Sequence, residues 1–275
     1  MSTPGISAFP VTNHGIAACE DRFDAIYIMD VDKYNTKNQI ISGSSAGIVN
    51  IVDVANTVSK FSERGLDTSF ASAYFPDVLL KRPIDNAPIK VPASVGVLGV
   101  FSQNDSIADP WFAPAGIARG RIQSAIGSSL YLRESELDDI YDADINPIYV
   151  PAGRDEETYI FGQKTLLQDP SALDRINVRR LLINVRRQVK KVAERLLFEP
   201  NRESTLARFS SLVEPIMQRV QQRQGVQRYK VQIDTSTTTD IDIENNTLRG
   251  RIFLQPTKSI EFISLDFVVT NTIND

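Results

Sequence analysis

Cysteine and histidine are nearly missing from this chain. Its 275 residues include one Cys, Cys19, and one His, His14. No intrachain disulfide can form, and a reducing compartment fits. Zinc and haem sites have almost no ligands to draw on. A carboxylate-only Mg²⁺ or Ca²⁺ site has no loop motif behind it, so no metal and no cofactor is expected. No run approaches the roughly 18–20 apolar residues that cross a bilayer. Met1–Gly15 lacks the basic and apolar regions of a signal peptide. Neither membrane insertion nor a leader is therefore expected. What remains, 42% apolar and 23% charged, is ordinary globular composition.

The net charge of −4 is unevenly spread. Arg133–Glu157 carries nine acids against two Arg, and Asp174–Glu199 carries eight bases against three acids. A chain with one acidic and one basic face can stack on its own copies or steer an oppositely charged partner.

Periodicity divides the chain. Ala25–Asp30 reads as a buried strand, Ser45–Phe61 as a helix, and Phe70–Phe75 as a strand. Val78–Val91 is extended and broken by Pro83 and Pro88. Ser94 is placed to cap a helix reaching Ile107, and Ser135 one over Glu134–Tyr141. Ile145–Val150 and Tyr159–Gly162 read as strands. From Asn177 the pattern changes. Val178, Leu182, Val185, Val189, Val192 and Leu196 form one helical stripe, with bases on the other faces. A second helix spans Ser204–Gln224 and ends at Gly225. Three strands follow: Val226–Asp234, Leu248–Leu254 and Ile260–Val269, with a turn at Asn245-Asn246 and a break at Gln255-Pro256. The class is α/β and α+β. Residues 1–23 form an arm or linker, 24–173 an α/β region, and 174–275 a module of two helices on a small, mainly antiparallel sheet.

Few motifs point to chemistry. Gly43-Ser44-Ser45-Ala46-Gly47 matches the Gly-x-Ser-x-Gly nucleophile elbow of hydrolases. The base histidine of such enzymes follows the serine, whereas His14 precedes it. A helix N-terminus with Ser caps is the stronger reading, and a serine hydrolase the remote one. His14 reads as a solvated loop residue, and Cys19 as a packed, inert thiol. No catalytic residue is expected. Trp111 reads as a packed loop anchor. The basic helix fits a solvated face and a surface for an acidic protein partner equally well. Nucleic acid fits less well, because the helix lacks interleaved aromatics and the chain is acidic.

Four blocks carry a resemblance. The first is Ile252-Phe253-Leu254-Gln255-Pro256-Thr257-Lys258-Ser259-Ile260-Glu261-Phe262-Ile263-Ser264-Leu265-Asp266-Phe267-Val268-Val269. The second is Asp109-Pro110-Trp111-Phe112-Ala113-Pro114-Ala115-Gly116-Ile117-Ala118-Arg119-Gly120. The others are Val91–Val100, and Val178–Leu197 followed by Phe198-Glu199-Pro200-Asn201. Taken in chain order, over roughly Phe70 to Thr270, they resemble the tail sheath proteins of contractile phages and the related sheaths of bacteriocins and contractile injection systems.

The resemblance implies a structural subunit and no enzyme. It implies a helical homopolymer of hexameric rings around an inner tail tube protein, with baseplate and tail terminator proteins as further partners. Contraction of the sheath drives the tube through a target envelope. The expected location is the virion tail, assembled in the host cytoplasm, with no membrane insertion and no direct nucleic-acid binding. Arms in this family add strands to neighbours. Here Ser259, Ile260, Phe262, Leu265, Phe267 and Val269 are the expected inter-subunit strand. Arg179, Arg186, Arg187, Lys190, Lys191 and Arg195 are the expected tube-facing basic helix. Thr3-Pro4-Gly5-Ile6-Ser7 is a remnant of the usual N-terminal arm motif, which suggests a truncated or compact member.

Overall fold

The computed structural model describes residues 1–41, 51–154, 157–200, 202–234, 237–245, 247–259 and 261. From the amino end come α1 (Phe9–Arg22), β1 (Tyr27–Asp30), α2 (Val54–Ser62), β2 (Ala71–Phe75), β3 (Val78–Lys81) and β4 (Pro88–Val91). Then follow α3 (Ala93–Ile107), α4 (Gly116–Arg119), β5 (Ala125–Ser128), α5 (Glu134–Asp142), β6 (Ile145–Tyr149) and β7 (Tyr159–Ile160). The last part holds α6 (Ile176–Glu194), α7 (Glu203–Gln222), β8 (Val226–Gln232), α8 (Asp240–Glu244) and β9 (Arg251–Pro256).

The central sheet has the order β1-β2-β6-β7, parallel except for β7. Tyr27, Met29, Ala71, Ala73 and Phe75 pack on one face with Ile16, Cys19, Phe61 and Ile140. Ile28 and Tyr74 pack on the other with Val97, Val100, Ile148 and Ile160. Strands covered on both faces need apolar residues throughout, which is why Ala25–Asp30 reads as one apolar run. A separate antiparallel sheet has the order β4-β3-β5. A third core joins α6 and α7 to the antiparallel pair β8–β9 through Leu181, Val185, Phe209, Val213, Met217 and Val226. This is the expected mixture of α/β and α+β structure.

Several details differ from the sequence reading. The segment 1–23 holds a helix, α1, whose Thr12, Gly15, Ile16 and Cys19 turn inward. Its apolar stripe is too narrow to stand out, and its Pro sits in the first turn, where a missing N–H does no harm. His14 is exposed on this helix rather than in a loop. Helix α2 starts at Val54, because Asp53 caps it by accepting from Asn56 N at 3.0 Å. Ser94 is not a cap. The Asp30 carboxylate accepts from Ser94 N at 2.7 Å, Ser94 Oγ at 2.8 Å and Gly5 N at 2.9 Å. A distant acid thus satisfies the start of α3. Nor does Ser135 cap α5, where Glu136 accepts from Arg133 N at 2.8 Å.

The extended Val78–Val91 run folds into the β3–β4 hairpin. Strand β8 stops at Gln232, and β9 starts at Arg251 and runs through Gln255-Pro256. Pro256 does not break the strand, because a terminal residue can lack the ladder donor. Gln224, with φ 62°, takes the left-handed turn after α7. Gly225 is small for another reason: a Cβ there would lie 2.7 Å from Val220 and 3.1 Å from the Trp111 ring. The Gly43–Gly47 motif and the third C-terminal strand, Ile260–Val269, lie outside the described residues apart from Glu261.

Candidate assembly interface

Helix α6 forms as its stripe demands. Val178 and Val185 are buried, and Leu182, Val189 and Val192 are half-buried. Leu181, off that stripe, is buried too. The six bases do not share one environment. Arg186, Arg187, Lys190, Lys191 and Arg195 are exposed, but Arg179 is buried. Its guanidinium lies 3.9 Å from the Phe70 ring centroid and donates to Ser69 Oγ. Burial pulls its pKa down to about 10, so it stays charged at neutral pH. Arg186 stacks 4.6 Å over Phe23, and Phe23 meets Phe70 edge to face at 5.2 Å. Arg187 donates to Asp24 O at 3.4 Å. The residue after α1 and the middle of α6 are thereby tied by alternating cations and rings. Beyond α6, Leu197 and Phe198 are exposed, Phe198 completely, with a left-handed φ of 69°. The sequence reading passed over this apolar tip.

Ser259 and Glu261, just beyond β9, are tied to the body of the fold. Ser259 Oγ accepts from Asn177 Nδ2 at 3.2 Å. Glu261, missed from sequence, accepts from Arg175 Nε at 2.7 Å, Gln163 Nε2 at 2.8 Å and Tyr141 OH at 2.7 Å. Burial raises the Glu261 pKa, but the bonds from Tyr141, Arg175 and Gln163, with the Arg175 charge, outweigh it and hold the carboxyl below its usual range. Burial likewise opposes the Arg175 charge, and Glu261 overcomes it. Replacing Glu261 by Gln is expected to remove about 1–3 kcal/mol of stability at neutral pH, since charged donors lose their acceptor. The wild-type advantage is complete above the ordinary carboxylate range. It fades as pH falls through the depressed Glu261 value. Urea unfolding of both proteins at neutral and acidic pH checks this; a gap that does not shrink in acid contradicts it.

A cleft of about 830 Å³ opens beside this anchor, walled by Trp111, Phe112, Leu137, Tyr149 and Phe161. The Trp111 loop is itself fixed. Trp111 Nε1 donates to Arg223 O at 2.9 Å, and Asp109 accepts from Arg223 Nη1 at 2.7 Å. Trp111 is thus the expected packed anchor, and it joins the loop to the end of α7. Gly120 closes the segment, because a Cβ there would stand 2.7 Å from Gly116 N and Ile160 O. Cys19 is fully buried, and burial raises its thiol pKa. Among the described residues, no helix is long and apolar enough to cross a membrane. Among them, no group of three His, Cys, Asp or Glu side chains could hold a metal.

Residues 168–270 match the family model of the phage tail sheath C-terminal domain. Over 185 residues, 67% of this chain, the sequence is 35% identical to the tail sheath protein of Vibrio phage KVP40. Over 182 residues, 66% of the chain, it is 32% identical to that of Enterobacteria phage T4. The chain belongs to the tail sheath family. It spans about a quarter of the length of these sheath proteins, 27% of each. The sheath fold is also that of the contracted helical sheath of the anti-feeding prophage. That match has a TM-score of 0.71 and 21% identity, and covers 96% of this chain and 68% of the other. The sheath motif around Trp111 now has a physical content: its Trp, its Asp and its last Gly each hold a distant segment in place.

Proposed function

We propose that this chain is a structural subunit of a contractile phage tail sheath, polymerising helically around an inner tube and contracting to drive that tube through a target envelope. The observation that carries the reading is the match of residues 168–270 to the sheath C-terminal domain. The anchoring of Glu261 supports it, because a load-bearing arm needs a fixed exit point. In this reading the segment Ser259–Val269 reaches a neighbouring subunit, and its backbone bonds supply about 0.5–1.5 kcal/mol each, repeated along the polymer. The phage relatives at 35% and 32% identity favour a phage tail over an injection device. The subunit belongs in the virion tail, is assembled in the host cytoplasm, and meets baseplate and terminator proteins at the sheath ends.

The basic face of α6 is the inner-tube contact in this proposal, through Arg186, Arg187, Lys190, Lys191 and Arg195. The exposed Phe198 favours a protein partner over a merely solvated face, since aromatic and Arg side chains dominate interface energetics. Negative-stain images of the purified protein test the function. Striated tubes are expected, and uniformly dispersed particles at every concentration and salt count against a sheath.

A further inference from the structure

We propose that the outer face of the β8–β9 sheet docks against helix α5, and the cleft beside it, on a second copy of this chain. The inference deepens the sheath reading and rests on it for the polymer in which the contact repeats.

The sheet has two unlike faces. Opposite residues of an antiparallel pair share a face, and the register sets Arg228 against Gln255, Lys230 against Phe253 and Gln232 against Arg251. Tyr229, Val231, Ile252 and Leu254 point the other way and pack on the core of α6 and α7. The outer face therefore carries Arg228, Lys230 and Arg251, all exposed, around Phe253, which is 51% exposed. None of these three bases has a carboxylate partner among the described residues. Aromatic and Arg side chains together are the composition of an interface.

The matching surface lies on the same chain. Helix α5 carries Glu134, Glu136, Asp138, Asp139 and Asp142, and no base. Among the described residues, none of these acids is in an ion pair. Glu134, Leu137, Asp138 and Tyr141 fall at i, i+3, i+4 and i+7, so they share the side of the helix that walls the cleft. Glu134 and Asp138 are exposed, Leu137 is half-buried between them, and Phe161, also lining the cleft, is half exposed. Arg119 and Lys258 line it too. Arg119, however, is turned to the Phe112 ring at 5.2 Å and donates to Ala113 O at 3.2 Å, and the acids of α5 outnumber the pair.

Bases around a ring on one surface thus complement acids beside an apolar cleft on the other. In the contact, Phe253 enters the cleft mouth at Leu137 and Phe161. Lys230 and Arg251, which lie beside Phe253 on the sheet, meet Glu134 and Asp138. The ring supplies the apolar centre, and the charges supply orientation and encounter rate. A two-fold contact of sheet face on sheet face would set like charges together. The contact is instead head to tail, each copy using its sheet on one neighbour and its cleft on another. Such a contact extends into an open helical array unless the rotation closes it.

Charge exchange tests the contact in the full chain. One variant carries Lys230→Glu and Arg251→Glu, the other Glu134→Lys and Asp138→Lys. At low salt, sedimentation is expected to show each variant alone self-associating roughly tenfold more weakly than wild type. An equimolar mixture is expected to regain association, because every contact between the two variants pairs opposite charges. A mixture no stronger than its components overturns the proposal, and so does wild-type association of either variant alone. Cross-linking decides where a variant does not fold. In a Cys19→Ala background, Phe253→Cys on one copy is mixed with Leu137→Cys or Phe161→Cys on another, each copy bearing a different tag. A disulfide joining the two tags is expected on oxidation, and its absence from both pairs overturns the contact. The sheath reading fails separately. Joined tags without striated tubes keep the contact and remove the sheath, while striated tubes from each charge variant alone keep the sheath and remove the contact. Loss of tube attachment with self-association intact gives the sheet face to the inner tube, which also overturns the contact.

Discussion

Deleting Ser259–Asp275 is expected to abolish tube formation and to reduce the solubility of what remains. Two effects combine. The deletion removes the apolar residues Ile260, Phe262, Leu265, Phe267 and Val269, each worth about 1.5–3 kcal/mol when buried. It also removes Glu261, so Arg175, Gln163 and Tyr141 lose a shared acceptor. The cleft beside Trp111 and Phe161 also loses Ser259 and Glu261 from its wall, and exposed apolar surface promotes association without order. Sedimentation and negative-stain imaging separate the outcomes. Amorphous aggregate or short oligomers are expected in place of tubes. Glu261→Gln serves as the control, because it weakens the anchor and keeps the segment. Normal striated tubes from the deletion would show that the segment is plain core and not an arm.

The sequence is legible where local periodicity and tertiary packing agree. Ala25–Asp30 and Phe70–Phe75 lie between two helical layers, so their apolar runs survive as a signal. The stripe from Val178 to Leu196 marks α6 for the same reason: one face meets a core and the rest meets water. What was hidden depends on contacts between distant residues. Asp30 holds the start of α3 from 64 positions away, so Ser94 takes the look of a cap without the role. Glu261 meets Tyr141, Gln163 and Arg175 across separations of 120, 98 and 86 residues. In the sequence it is one acid among apolar neighbours. Arg179 stands in a run of surface bases, and only the fold sets it against Phe70. Strand β5, with the sequence Ala-Ile-Gly-Ser, is too short to carry a period. The Trp111 block was legible as a rigid loop, but its partner Arg223 was not.

Reversing the charge of α6 is expected to detach the sheath from its tube at low salt while leaving the subunit folded. The choice of residues matters. Arg186 also stacks on Phe23, and Arg187 also bonds Asp24 O, so changing them disturbs the join between α1 and α6. Arg179 is buried, and its reversal would place an acid against a ring and a hydroxyl. Lys190 and Lys191 are exposed and make neither of those contacts. The clean test is therefore Lys190→Glu with Lys191→Glu, and the fuller set adds Arg186→Glu and Arg187→Glu. One exposed pair contributes only about 0–1 kcal/mol. A contact repeated around every ring multiplies that small term, and salt screens it over about 10 Å at 0.1 M. Co-sedimentation with an inner tube at low salt is expected to fall at least tenfold for the double variant. Thermal unfolding of the isolated subunit should stay near wild type for that pair and drop for the quadruple variant. Wild-type attachment should itself weaken as salt rises. If the double variant binds the tube as wild type does at low salt, the exposed end of α6 is a solvated face, and the tube contact must be sought elsewhere, beginning with Leu197 and Phe198 at the tip.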